Sequence, residues 1–195
     1  MVRGRCVVVG VTGGIAAYKT ASLVSLLVRR EARVRVVMTE NATRFVGPLT
    51  FQTLSRNRVI TDLFLSAEEW DSQHVVVARW AEALVVAPAT ASFLGKIAGG
   101  ISDDILTSTV LATRAPVLLA PAMNGAMWRH PAVQRNVKTL QEMGYSLVGP
   151  AEGRLADGTT DIGRMSEPPE IFEALAGMLA EARGGPSGTD PETSG

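Results

Sequence analysis

Cys6-Val-Val-Val-Gly-Val-Thr-Gly-Gly-Ile-Ala-Ala-Tyr-Lys-Thr-Ala-Ser-Leu-Val-Ser-Leu-Leu-Val-Arg-Arg30 reads as a strand, a tight turn and a helix. Cys6–Gly10 is apolar at every position and closes on glycine, whereas from Tyr18 to Arg30 the residues Ala21, Val24, Leu27 and Val28 recur at helical spacing. A strand that does not alternate is buried on both faces, which is the condition of a parallel sheet covered by helices. Apolar runs at Val34–Met38, Leu84–Ala87 and Val117–Ala120 repeat the pattern, with Tyr145–Val148 as a candidate fifth strand. Helical segments are expected at Ala42–Phe45, Pro48–Leu54, Val75–Ala81 (beginning just after His74), Ser92–Ala98, Asp104–Ala112, Pro131–Met143 and Ile171–Ala182. The predicted fold is therefore α/β, a Rossmann-like doubly wound parallel sheet in a three-layer sandwich.

Composition narrows the function classes. The chain has 195 residues, 46% of them hydrophobic and 19% charged, with a formal net charge of zero and no apolar run long enough to cross a bilayer. Balanced charge, with Arg29-Arg30 and Arg33/Arg35 as the densest basic group, argues against a nucleic-acid partner. A single cysteine, Cys6, excludes an internal disulfide, and with no signal-peptide pattern at Met1-Val-Arg-Gly-Arg it suits a reducing cytoplasm. Residues 1–183 read as one domain, and 184–195, rich in Gly, Pro, Ser and Thr, as a disordered tail.

Four stretches carry chemistry. Gly10-Val-Thr-Gly-Gly-Ile-Ala-Ala-Tyr-Lys19 joins the first strand to the first helix, where backbone N–H groups and the helix dipole hold phosphate; the same glycines also serve a tight turn. It is not the G-x-G-x-x-G fingerprint, and no acidic residue follows Val37-Met-Thr39 to take a ribose hydroxyl, so a mononucleotide such as FMN fits better than NAD. Val85-Val-Ala-Pro-Ala-Thr90 through Asp103-Asp104 forms a second strand–loop–helix unit with small residues for a flat ligand, although two aspartates before Ile105 also read as a helix cap. Val117-Leu-Leu-Ala-Pro-Ala-Met-Asn124 stops a buried strand at Pro121, which lacks an N–H, and puts Asn124 on a loop at the ligand-binding end of such a sheet. Asn124 is equally a turn residue. His74, at a helix start where the dipole disfavours protonation, is a candidate base or a capping residue. No metal-ligand spacing is found.

Gly13-Gly-Ile-Ala-Ala-Tyr-Lys19, His74, Ala87-Pro-Ala-Thr90, Asp103-Asp104, Pro121-Ala-Met-Asn124 with Met127-Trp128, and Gly163-Arg-Met165 occur in that order. Together they resemble the homo-oligomeric flavin-containing cysteine decarboxylases, the family of phosphopantothenoylcysteine decarboxylase and the lantibiotic-type peptidyl-cysteine decarboxylases. The resemblance implies a flavoprotein sandwich that binds FMN at subunit interfaces, in trimers or in dodecamers made of trimers. It implies His74 as active-site base and Asn124 as holder of the substrate carboxylate. Thr12, Gly13, Gly14, Ile15 and Thr39 would lie near the FMN phosphate, and Ala89, Thr90, Ser102, Asp103 and Asp104 near the rest of the cofactor. Met123, Asp157 and Arg164 would line the substrate site, and Arg154 flanks the same segment.

One departure separates two functions. Coenzyme A decarboxylases of this type usually carry Ala-Cys-Gly or Ala-Ser-Gly before Gly-Arg-Met, where this chain has Ala156-Asp157-Gly158. In the cysteine-bearing enzymes that thiol is thought to help reduce an enethiol to the saturated product. Its absence, and the chain's end soon after residue 183 without a synthetase domain, favour oxidative decarboxylation of a peptide's C-terminal cysteine to an aminoenethiol, in the making of a cyclic thioether. The alternative is phosphopantothenoylcysteine decarboxylation to phosphopantetheine for coenzyme A, whose enzymes typically share the Pro-Ala-Met-Asn spelling. A non-catalytic FMN-binding regulatory protein is a third reading, and a flavin prenyltransferase a fourth.

Overall fold

The computed structural model describes residues 2–63 and 72–184. The expected tail therefore falls outside the described residues, apart from the helical Gly184. Five parallel strands, β1 (Cys6–Val11), β2 (Arg33–Met38), β3 (Ala83–Ala89), β4 (Val117–Pro121) and β5 (Ser146–Leu147), lie in the order β2-β1-β3-β4-β5. Every residue of β1, β3 and β4 is buried, so the unalternating apolar runs occupy the middle of the sheet. The edge strand β2 begins exposed at Arg33.

Helices cover both faces. One core joins the sheet to α1 (Ala17–Arg29), α3 (Pro48–Ser55) and α9 (Pro168–Gly184) through Leu23, Leu27, Phe51, Ile171 and Leu175. The other joins it to α4 (Gln73–Trp80), α5 (Ala91–Ala98), α6 (Ile105–Ala112) and α8 (Pro131–Glu142) through Val77, Leu94, Leu106 and Leu140. The short α2 (Glu40–Thr43) follows β2, and α7 (Gly125–Arg129) follows β4. The chain leaves β1 toward one face and β3 toward the other, which opens a crevice between their carboxyl ends.

Three local expectations change. His74 lies inside α4, second after Gln73, because Ser72 takes the N-cap position. β4 ends at Pro121 as expected but includes it, one residue beyond the apolar run Val117–Ala120, and the next N–H, of Ala122, bonds the Ala89 carbonyl. An antiparallel hairpin, β6 (Ala151–Arg154) with β7 (Thr160–Arg164), is unforeseen. Among the described residues no helix is long and apolar enough to cross a membrane, and no group of three or more His, Cys, Asp or Glu could hold a metal.

The amino end of the sheet is closed by Glu82. It accepts the Cys6 N–H at 2.8 Å and pairs with Arg5, while Cys6 itself is buried. The Cys6 N–H, then Arg5, hold the Glu82 carboxyl below its ordinary value against the cost of burial. A depressed carboxylate contributes stability that is full above its unfolded pKa of about 4.3 and is lost as pH falls through the folded value. Glu82→Gln is therefore expected to melt below wild type at neutral pH, with the gap closing in acid. Melting scans across that range check this, and a gap independent of pH contradicts it.

Candidate active site

A cavity of about 1020 Å³ opens at the carboxyl ends of β1–β4, at the large end of the range for ligand pockets. The β1–α1 loop forms one wall with Thr12–Lys19, the α5 start another with Thr90–Phe93, and the loop after β4 a third with Ala122–Asn124. The β6–β7 hairpin and its continuation close the remaining side through Arg154–Asp157 and Gly163–Met165.

The glycine-rich turn between β1 and α1 is built by close approach. A side chain at Gly13 would place its Cβ 2.5 Å from that of Asn41, and one at Gly14 would come 3.4 Å from Thr90 Cγ2. The first turn of α1 has no side-chain cap and no acidic residue; its Ala17 and Lys19 N–H groups bond the Gly14 and Ala16 carbonyls, and Gly13, Ile15 and Ala16, just before the helix, bring backbone to the cavity wall with no protein anion in that turn. That arrangement suits a phosphate monoester, and the cavity leaves room for a planar ring and a second molecule.

Several expected ligands are committed to the protein. The Thr12 hydroxyl donates to the Pro88 carbonyl at 2.7 Å and accepts the Thr90 N–H at 3.3 Å, which ties the end of β1 to that of β3. Thr39 caps α2 and Thr90 caps α5, each through its hydroxyl. Asp104 caps α6 in a reciprocal box with Thr107. Asp103 and Asp104 both meet Lys96, at 2.8 and 3.4 Å, and Lys96 is raised above its ordinary pKa, chiefly by Asp103. Ser102 shares a hydrogen with Ser108 and, like the fully buried Ala89, is not on the cavity wall. Thr12, Gly13, Gly14, Ile15, Thr39, Thr90, Asp103, Asp104, Met123, Asn124, Asp157 and Arg164 do line it.

Asn124 is the most constrained of these. It caps α7, its Oδ1 accepting the Ala126 N–H at 2.8 Å, while its Nδ2 donates to Asp157 Oδ2 at 2.8 Å. Asp157 in turn accepts the Thr159 hydroxyl at 2.6 Å and its N–H at 3.0 Å. Those Thr159 bonds first, then the Asn124 amide, hold the Asp157 carboxyl below the usual range.

His74 does not line the cavity. It sits in the first turn of α4, the helix that descends to the amino end of β3, so it lies at the cavity's end of the sheet but on the α6 side. Sequence reasoning passed over Lys19 and Lys96 as cavity residues. Lys19, 15% exposed, pairs at 2.6 Å with Glu167, 148 residues away, a partner that no local pattern signals. Lys96 is no more legible, because the Gly99-Gly100 turn separates it from its partners Asp103 and Asp104.

The flavoprotein family profile matches residues 1–180. The coenzyme A biosynthesis bifunctional protein CoaBC of Bacillus subtilis is 48% identical over 186 residues, covering 95% of this chain and 46% of that protein. CoaBC of Haemophilus influenzae is 47% identical over 178 residues, 91% of this chain and 44% of that one. The chain thus spans under half the length of these curated relatives. Among solved structures, a PPC decarboxylase mutant complexed with pantothenoylaminoethenethiol is 33% identical with a TM-score of 0.83, covering 91% of this chain and all of that one. The FMN-dependent cysteine decarboxylase SpaF is 35% identical with a TM-score of 0.79, covering 93% and 98%. By sequence and by fold, the chain belongs to the flavoprotein family of FMN-dependent cysteine decarboxylases.

Proposed function

We propose that this domain binds FMN and decarboxylates phosphopantothenoylcysteine. The observation that carries the reading is the cavity that unites the uncapped α1 N-terminus with Asn124 of Pro121-Ala-Met-Asn124, in a chain nearly half-identical to CoaBC proteins. The peptide substrate expected from Asp157 gives way as the first reading, because these matches, which span over nine-tenths of this chain, are to coenzyme A proteins and one residue does not outweigh them. It stays as a second reading, favoured by the missing thiol at position 157 and by the likeness to SpaF.

The residues divide the work. Gly13, Gly14 and the backbone just before α1 would hold the FMN phosphate, with Thr12 tying the end of β1 to that of β3. When bound, FMN would accept two electrons from the thiol-bearing carbon, so that its C=S form serves as the electron sink for loss of CO2, and would return the two electrons to the enethiol to give the saturated product. Asn124 Nδ2 holds the departing carboxylate and fixes its orientation. His74 takes the thiol proton; a free thiol, pKa about 8.5, is only a few per cent ionised at neutral pH, so a positioned imidazole matters. Since His74 lies outside this chain's own cavity, a second copy in a homo-oligomer supplies it. Lys19, Arg154 and Arg164 add positive charge to the wall for an anionic substrate.

Mass spectrometry of the flavin-loaded protein tests the assignment. Loss of CO2 alone from phosphopantothenoylcysteine is expected; inertness toward it, with loss of CO2 and two hydrogens from a cysteine-terminated peptide, would hand the function to the second reading. His74→Asn is expected to lower turnover by roughly two orders of magnitude with flavin retained, the scale of general-base catalysis. Unchanged turnover would remove His74 from the mechanism.

A further inference from the structure

Asn124, to which the proposed function gives the substrate carboxylate, already holds a carboxylate. Its Oδ1 is taken by the Ala126 N–H and one Nδ2 hydrogen by Asp157 Oδ2 at 2.8 Å. Among the described residues no cation stands within ion-pair distance of Asp157: Arg129 pairs with Asp161, and the nearest carboxylate to Arg164 is Glu167 at 3.8 Å. A substrate carboxylate on the same Nδ2 would therefore meet Asp157 across one nitrogen, two like charges with nothing between them to neutralise either.

The hairpin's other attachments lie along β7, outside the turn itself. Met123 N–H bonds the Gly163 carbonyl at 3.0 Å, Arg129 pairs with Asp161, and Gly125 admits Asp161 only because it lacks a side chain. The turn between β6 and β7 is tied to the rest of the cavity by Asn124–Asp157. The turn's own bonds, Leu155 N–H to the Thr159 carbonyl at 2.8 Å and Gly158 N–H to the Leu155 carbonyl at 3.0 Å, are internal to it.

We propose that Asp157 is an internal competitor for the substrate's carboxylate. In the ligand-free protein it occupies Asn124 and latches the hairpin turn across the cavity. A ligand carboxylate displaces it from the amide, and when the carboxylate has left as CO2, Asp157 retakes that position. Asp157 is thus a specificity-determining residue: it sets the affinity for carboxylate-bearing ligands against that for their decarboxylated counterparts. The inference rests on the decarboxylase reading for the identity of the ligand, and on the geometry for the latch.

Asp157→Asn isolates the contact. An asparagine keeps an Oδ1 for Thr159, preserving the turn, but sets an Nδ2 donor against the Nδ2 of Asn124 and removes the charge. The probe is phosphopantothenoylserine, which keeps the carboxylate and has no thiol to oxidise, titrated calorimetrically into flavin-loaded wild type and variant. The variant is expected to bind it about tenfold tighter, while the carboxylate-free counterpart binds both proteins equally. Equal or weaker binding of the serine compound by the variant would overturn the competition and leave Asp157 as a support for Asn124. Hydrogen exchange at Leu155 and Gly158 in the ligand-free proteins reads the latch without any substrate: exchange several-fold faster in Asp157→Asn supports it, and unchanged exchange overturns it. Faster exchange in a variant that, like wild type, ignores the serine compound would sink the substrate assignment and spare the latch.

Discussion

Asn124→Asp is expected to abolish decarboxylation, lowering turnover by roughly three orders of magnitude, while the protein stays folded and yellow. Asp and Asn cap helices about equally well, so α7 keeps its N-terminal bond to Ala126. What changes is the group aimed at the substrate: an N–H donor becomes a carboxylate facing a carboxylate. Loss of one oriented donor costs about 10²–10³ in rate, and the added repulsion weakens binding of the ionised substrate. The new charge would also face Asp157, so the double variant Asn124→Asp/Asp157→Asn is the control: it removes that repulsion and should stay inactive. Turnover within tenfold of wild type in either protein would reduce Asn124 to a helix cap. Flavin absorbance and single-turnover rates of CO2 release provide the measurements.

Gly163→Ala is the second large effect. Gly163 holds φ at +135°, a conformation that L side chains rarely adopt, and an added Cβ would overlap the Met123 carbonyl oxygen, which is backbone and cannot swing away. Backbone strain of this kind costs about 1–3 kcal/mol, and for a chain of this size that is roughly 3–10 °C of melting temperature. The Gly163 carbonyl also receives the Met123 N–H, so relief of the clash parts β7 from the strand end that carries Asn124. Turnover is expected to fall at least a hundredfold with flavin binding intact, because Gly13, Gly14 and the α1 terminus lie on a separate loop. Wild-type turnover and melting would show that the two backbones need not meet so closely.

The middle of the sheet was legible because β1, β3 and β4 are buried on both faces, and burial on both faces writes an unbroken apolar run. Asn124 was legible because a ligand site of this fold lies at strand carboxyl ends and the run at Val117 stops just before it. The hairpin was not: Ala151–Arg154 and Thr160–Arg164 are mostly polar, sit outside both cores and carry neither helical nor strand periodicity of apolar residues. Nor could the sequence tell ligand from scaffold at Thr12, whose hydroxyl is consumed by Pro88 and Thr90, more than seventy residues away. For Asp103-Asp104 the cap reading accounts for Asp104, but the pair's common partner Lys96 appears only when α5 and α6 are packed. His74 was recognised as a motif residue, yet no local pattern says that the start of α4 lies off the wall of this chain's cavity.

The seclusion of Cys6 sets the terms on which this protein can be assayed. Its side chain is 5% exposed on β1, and burial pushes its thiol above the ordinary range, so it is both shielded and protonated in the native state. A thiol-reactive dye added to a native reaction mixture should therefore colour only substrate and product, with no background from the enzyme. Enzyme labelling that begins on mild heating would time the opening of β1 itself, giving an unfolding clock that needs no engineered reporter.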